Sequence, residues 1–555
     1  MYNNNNKVLV VIPARGGSKG IPRKNLRLLG EKPLIAYSIL MAKSSEYVDD
    51  VVVSTEDAQI RLLSEKFGAS TIIRPPELAK DDVPLDPVIY DAMLQREKVI
   101  FDEYDIIITV QPTSPLLKTI TLNKAIEKFD DFDVDSVISV VDDRHLSWGF
   151  DSKNNKYFPL YHKRVNRQYL PKSFKETGSF LATRRRCMSE TSRLGDNIDL
   201  VEISSEESVD IDSYEDWWVA ENYINKKKIA IVVNAYNEIG TGHIYRCISI
   251  ASKLVFHDVL FILNQGHDLG IEIIKDNYYP YVTYDDGDEF LNILEKFSPH
   301  IIINDILDTS LDYINTLKQK GFFVINFEDL GLGTEAADLV FDALYEHNLD
   351  ENNIFVGHKY YILKDEFYFQ NPKVITEEVN NVLITFGGTD PNNFTEKVLD
   401  SIIQSGFSKQ INVILGIGYK DKSGIIEKYN IYNNVVIYEN VDNISEHMLM
   451  ADVIFTSAGR TMYEVCSLGV PCICLCQNDR ERTHVFGNYK NGFINMGLGA
   501  EISQEKIIEQ FNTIVNDFEL RKTMNKRMLS VDLKHGFENI WAIVKSRYRD
   551  FKLSN

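Results

Sequence analysis

From Val8 onward, short apolar runs alternate with longer stretches of helical periodicity, and few folds accommodate that alternation. Val8–Ile12, Val51–Ser54, Ile106–Val110 and Val137–Val141 read as strands, with helix-like segments such as Leu34–Lys43 between them. Strand and helix in turn predict parallel α/β sheets. The pattern restarts after Lys226-Lys227-Lys228, where the strand Ile229–Val233 begins. Just before it, Tyr214–Asn225 reads as a helix capped by Asp212 or Ser213. The charge run at the junction is a solvated face. A third restart, Val382–Phe386, follows the polar stretch 377–381. The chain has 555 residues, room for two to four domains at roughly 150 residues each. We expect three: 1–227, 228–375 and 376–555. No short-period repeat is present, and no low-complexity segment beyond Asn3–Asn6.

The formal charge is −21, which disfavours a general nucleic-acid partner because phosphate contact needs basic surface. Basic clusters inside so acidic a chain are therefore informative. Met1, Tyr2 and four asparagines do not resemble a secretory signal. No apolar run reaches the roughly 18–20 residues of a spanning helix. Six cysteines in this length do not suggest a disulfide framework. These features predict a soluble cytoplasmic protein that does not enter a membrane.

The first strand runs into Pro13-Ala14-Arg15-Gly16-Gly17-Ser18-Lys19-Gly20-Ile21-Pro22-Arg23-Lys24-Asn25. Glycines let backbone N–H groups approach phosphate oxygens. Arg15, Lys19, Arg23 and Lys24 add positive charge, as a triphosphate requires. Neither the GK[ST] ending of a P-loop nor the G-x-G-x-x-G of a dinucleotide fold is present. Composition alone also fits a solvent-exposed basic turn. Further along, Asp210 and Asp212 flank Ile211. On an extended segment both carboxylates point the same way, which suits a hard cation. Asp212 as a mere helix cap is the alternative.

The stretch IPARGGSKGIPRKN resembles the nucleotide-binding signature of the acylneuraminate cytidylyltransferases. KPLIAYSI, VVVSTED, RPPELAKDD, VQPTSPL and SVDIDSYEDW continue the similarity in order. The resemblance implies a Rossmann-like mixed sheet, CTP, Mg²⁺ and a homodimer formed through this domain. It places Arg15, Gly16, Gly17, Ser18, Lys19, Lys24 and Asn25 on the triphosphate, with Arg15 and Lys24 offsetting charge on the leaving group. It places Gln111 near the sugar, Arg167 on the sugar carboxylate, a task suited to a planar fork, and Asp210 with Asp212 on the metal. The family's Asn-Gly is Thr177-Gly178 here, and its His-His-Pro is Arg144-His145-Leu146. Both departures lie in the sugar-binding stretch, so the resemblance does not carry the identity of the nonulosonic acid. A lone His145 reads as structural.

In the second half, Ile229–Val233 is followed by Asn234-Ala235-Tyr236-Asn237-Glu238-Ile239-Gly240-Thr241-Gly242-His243. Gly240 and Gly242 allow a tight turn at a helix start, which favours anions. His243 on the first turn would remain neutral and act as a base. A capping or core histidine is the alternative. EIGTGHIYRC is similar to the E-x-G-x-G-H-x-x-R-C signature of the UDP-sugar hydrolases of pseudaminic acid biosynthesis. KYYILKDEF, ITFGGTDPNN and TSAGRTMYEVCSLGVP follow in order. This resemblance implies two Rossmann-like domains in the glycosyltransferase-B arrangement and hydrolysis of a UDP-2,4-diacetamido-2,4,6-trideoxy sugar. His243 takes the place of the base. Gly387, Gly388 and Asp390 form the opening turn of the last domain. Ser457, Gly459 and Glu464 face the nucleotide, Glu464 toward ribose hydroxyls. Asn234, Glu328-Asp329 and Asn304-Asp305-Ile306 depart from that family's pattern. A glycosyltransferase, or a nucleotide-sugar-binding module without turnover, fits the same architecture. Cys472, Cys474 and Cys476 alternate along one apolar strand and read as small buried hydrophobes, with no fourth metal ligand at finger-like spacing.

Joined, the halves predict a bifunctional enzyme of nonulosonic acid biosynthesis. A separate phosphoenolpyruvate-dependent synthase would work between the hydrolysis and the CTP-dependent activation.

Overall fold

The computed structural model describes residues 6–17, 20–235, 242–345, 352–439, 441 and 443–554. It divides into two compact units, 1–226 and 227–555.

The first unit is built on β1 (Val8–Pro13), β2 (Asp50–Thr55), β3 (Ser70–Ile73), β4 (Ile106–Val110), β5 (Ser136–Asp142), β6 (Phe174–Arg184) and β7 (Ile198–Glu202). Their order is β7-β5-β6-β4-β1-β2-β3. Neighbours are parallel except β6, which runs antiparallel to both β4 and β5. β1 lies inside the sheet and is buried along its length. That explains its unbroken apolar run, since a strand covered on both faces has no polar side. The carboxyl ends of β1 and β4 release the loops at Ala14 and Gln111, where open α/β sheets bind ligands. The mixed Rossmann-like sheet implied by the sequence is therefore present.

The second unit holds two wholly parallel sheets. The first has β8 (Lys228–Val233), β9 (Asp258–Asn264), β10 (Tyr281–Tyr284), β11 (Ile301–Asp305), β12 (Phe323–Phe327), β13 (Leu339–Asp342) and β14 (Ile354–Val356), in the order β10-β9-β8-β11-β12-β13-β14. The other has β15 (Asn381–Ile384), β16 (Gln410–Leu415), β17 (Val435–Glu439), β18 (Val453–Ser457), β19 (Cys472–Cys476) and β20 (Phe493–Leu498), in the order β17-β16-β15-β18-β19-β20. In each, the opening strand sits beside the fourth, so the winding reverses there and a crevice opens. Both sheets are Rossmann-like.

The last helix, Gly536–Ser554, does not stay with the third sheet. Phe537, Ile540, Val544 and Tyr548 pack into the core of β8, β11 and β12. The segment 376–555 thus contributes to both sheets of its unit. β19 is covered on both faces, with Cys472, Cys474 and Cys476 in one core and Ile473 and Leu475 in the other. Among the described residues, no helix is long and apolar enough to cross a membrane.

Candidate functional sites

In the first unit, the loop after β1 folds back on the carboxylate segment before the helix Tyr214–Asn225. A Cβ on Gly20 would lie 2.3 Å from the Asp212 carbonyl oxygen, so only glycine allows this approach. Arg23, in the left-handed region at φ 56°, turns the chain, and its guanidinium donates to Gln59 and Asp57. Lys24 then reaches the Ile211 carbonyl at 2.5 Å and Asp212 at 3.1 Å. Arg15 donates to Asp81 at 2.5 Å, and the Gly16 amide to Glu56 at 2.7 Å. Gly17 faces open space. Buried Asn25 holds the loop by donating to the Arg15 carbonyl. Ser18 and Lys19 lie outside the described residues.

Asp212 is not a cap. Ser213 caps the helix and closes a capping box with Asp216, an arrangement worth about 1 kcal/mol. The Asp212 side chain is 79% exposed. Asp210 is half-buried, and its Oδ1 has no hydrogen-bond partner. Burial pushes its carboxyl upward, nearby Asp212 adds to the rise, and Thr113 and Lys24 oppose it. An orphaned carboxylate oxygen beside a second carboxylate fits a divalent cation that takes its other oxygens from phosphate and water. Among the described residues, no cluster of three or more acidic, His or Cys side chains could hold a metal alone.

Gln111 follows β4 and lies under Gly178, whose Cβ would be 3.2 Å from Nε2. Gly178 has φ +74°, which makes glycine necessary beside Thr177. The Thr177 hydroxyl bonds Ser139 at 2.8 Å, inside the sheet irregularity between β5 and β6. Arg167 is exposed, and its charge reaches Asp142, which is already held low by the Arg144 bond. His145 is exposed against Asp143.

In the second unit, His243 opens the helix Gly242–Lys253 at the carboxyl end of β8. Its Nδ1 meets Oδ1 of Asp305, the last residue of β11. Arg246, one turn later, donates from Nε and Nη2 to both oxygens of Asp305, at 2.6 and 2.5 Å. Its Nη1 donates to Glu328 at 3.0 Å. Burial alone would raise the Asp305 carboxyl, but Arg246 and His243 hold it well below the usual range. Glu328, at φ +52°, accepts from the Ala343 and Leu344 amides. Burial still pushes it up to about 7 against Arg246. Asn234 donates to the Ile306 carbonyl, bracing β8 against the segment after β11. Asn304 bonds Asn326 and Tyr313, while Asp329 ties down Thr309, Asn326 and Gly331. Gly240 lies outside the described residues. Gly242 faces Arg460, whose Cδ would be 3.1 Å from an added Cβ.

In the C-terminal half, β15 ends at Ile384, short of Phe386, as the chain turns through Gly387 at φ +81°. The Gly388 carbonyl accepts from Gly418. Asp390 uses both oxygens on the Phe394 and Thr395 amides and on Gln477. The opening turn thus uses the Asp390 carboxylate to hold a helix start. Ser457 ends β18, and Gly459 follows beside Glu481. Glu464, which the resemblance turns toward ribose hydroxyls, faces Lys364 at 3.2 Å. The sequence did not single out Arg246, Arg460, Lys364 or Glu481. Glu481 accepts from the Gln477 amide, and burial pushes it up to about 7. Arg246, Lys364 and Arg460 sat inside quoted motifs, and nothing local marked Glu481.

The family model described as Cytidylyltransferase matches residues 9–161. An uncharacterized protein of Methanocaldococcus jannaschii is 32% identical over 275 residues, 46% of this chain and 57% of that protein. The chain thus spans little more than half of that relative. N-acylneuraminate cytidylyltransferase B of Danio rerio is 36% identical over 306 residues, 52% of this chain and 69% of the relative. CMP-N,N'-diacetyllegionaminic acid synthase of Legionella pneumophila is 33% identical over 236 residues, 41% of this chain and all of the relative. The chain belongs to the N-acylneuraminate cytidylyltransferase family.

Proposed function

We propose that the first unit transfers a cytidylyl group from CTP to a nonulosonic acid. The observation that carries this reading is the close approach of Gly20 and Lys24 to the Asp210–Asp212 segment, which brings a phosphate loop and a carboxylate pair together. The relatives' names supply the nucleotide and the class of sugar acid. The anomeric oxygen attacks the α-phosphorus, a new P–O bond forms, and the bond to pyrophosphate breaks as the hydroxyl proton leaves. Arg15 and Lys24 offset charge on the departing pyrophosphate, and Arg167 pairs with the sugar carboxylate. Asp210 and Asp212 would hold Mg²⁺, which supplies charge neutralisation to the triphosphate when bound. The test supplies CTP, Mg²⁺ and a panel of nonulosonic acids, with products identified by mass spectrometry. A CMP-sugar acid and pyrophosphate are expected; preference for another nucleotide rejects the reading.

For the second unit we propose hydrolysis of a UDP-diacetamido-trideoxy sugar with His243 as base. The support is the His243–Asp305 pair. A buried carboxylate accepting from Nδ1–H leaves Nε2 free to take a proton from water. UDP release that requires a sugar acceptor would favour a glycosyltransferase, and binding without turnover a binding module.

The exposed aromatics Trp148, Phe150, Tyr157 and Phe158 on the hairpin Trp148–Asp151/Lys156–Pro159 offer a surface for the proposed homodimer of the first unit. Analytical ultracentrifugation that finds only monomer would reject it. A separate enzyme would condense the freed sugar with phosphoenolpyruvate.

A further inference from the structure

Resting on the reading that His243 activates water, we propose that Arg246 is a positioning residue for that step. By gripping both oxygens of Asp305 it fixes the carboxylate that orients the imidazole.

His243 and Arg246 are three residues apart on one helix and share a face. The Arg246 side chain is 3% exposed and that of Asp305 is 0%. Each Asp305 oxygen receives one guanidinium N–H, a fork geometry that lysine does not reproduce. The third arm, Nη1 on Glu328, stops the guanidinium from rotating away. An unneutralised carboxylate in so buried a place would draw a proton onto its imidazole neighbour. His243 would then be held as imidazolium and would be useless as a base at neutral pH.

Charged and titratable groups face His243 from each element around it. Asp305 comes from β11, and Glu328 from the turn after β12. Arg246 and Cys247 share its helix, with the thiol 3.5 Å from Asp305 Oδ2 and pushed well up by burial, hence neutral. Arg460 faces the start of the same helix from the segment before the helix Thr461–Leu468. Removing Arg246 takes the guanidinium from both oxygens of Asp305 and leaves His243 as its bonded cationic partner, so the His243 proton is held to higher pH.

The test is the protonation midpoint of His243 in the full-length chain, read by NMR on ¹³C-labelled histidine and assigned with His243→Ala. In Arg246→Met the midpoint should rise by roughly one pH unit or more. Arg246→Lys, which keeps the charge and loses the fork, should raise it less. Should the methionine variant not fold, the lysine variant decides. UDP release from a UDP-2,4-diacetamido-2,4,6-trideoxy sugar is then followed against pH. The acid limb should move upward with the midpoint, and the rate should recover toward wild type in alkali. Wild-type turnover with an unmoved midpoint in both folded variants overturns the proposal alone. A wild type that releases no UDP removes the step itself, and with it this role for Arg246.

Discussion

Around the first loop, Arg15 pairs with Asp81, Arg23 with Asp57 and Lys24 with Asp212, and in each pair at least one side chain is well exposed. Around His243, the charged partners Asp305, Arg246 and Glu328 are almost wholly buried and satisfy one another. Exposed pairs are worth about 0–1 kcal/mol, so a triphosphate can displace them at little cost. Breaking a buried pair costs about 3–5 kcal/mol, so the second cluster does not open for a ligand. The first site is a set of exposed, weakly paired charges, with one Asp210 oxygen unpartnered. The second is set by the protein in advance and presents one histidine edge, its side chain 14% exposed.

The sharpest way to break this comparison is His243→Ala. Release of UDP should fall about 10²–10⁴-fold, the usual share of a general base, with UDP binding retained by isothermal titration. A wild-type rate would make the histidine structural. Lys24→Met comes next. Losing an ammonium that faces developing charge should slow cytidylyl transfer by about 10²-fold, read as pyrophosphate release, while UDP release stays unchanged.

Much of the scaffold behind these predictions was legible. Leu34–Lys43, Ile106–Val110 and Tyr214–Asn225 begin and end where their patterns do, because strand runs and helical periodicity are local signals. The alternating cysteines of β19 were legible for the same reason. The network around His243 was not. Arg246 lies 59 residues from Asp305 and 82 from Glu328, and only the strand order β8-β11-β12 brings them together. Asp305 and Glu328 stood out in the sequence only as departures from a pattern, yet they are the partners of the histidine helix. The return of the last helix to the other sheet of its unit was equally hidden, since its apolar face does not say which sheet it covers.

Smaller effects sharpen the contrast through pH. Glu328, pushed up to about 7 by burial, is favoured in its protonated form by the folded state. Its stabilising contribution is complete below the unfolded carboxyl value of about 4.3 and is lost as pH rises through about 7. The thermal midpoint of the second unit should therefore fall between about pH 4 and 7, and Glu328→Gln should flatten that slope. An unchanged slope would mean that Arg246 keeps Glu328 ionised throughout. Asp210 gives the smallest effect. Its carboxyl is also raised, so the ionised form burdens the fold at neutral pH. Without ligands, Asp210→Asn should slightly raise the thermal midpoint of the first unit at pH 7, and the gain should vanish in acid. A lower midpoint at pH 7 would show that Thr113 and Lys24 outweigh burial at Asp210.

The central claim is that two chemistries reside in two separately built sites. It is tested most directly by following pyrophosphate from CTP plus a nonulosonic acid, and UDP from a UDP-diacetamido-trideoxy sugar, in Asp212→Asn and His243→Ala side by side. The account predicts that Asp212→Asn loses pyrophosphate release about 10²-fold or more and keeps UDP release, and that His243→Ala does the reverse. Loss of both products in either variant, or of neither in Asp212→Asn, would contradict it.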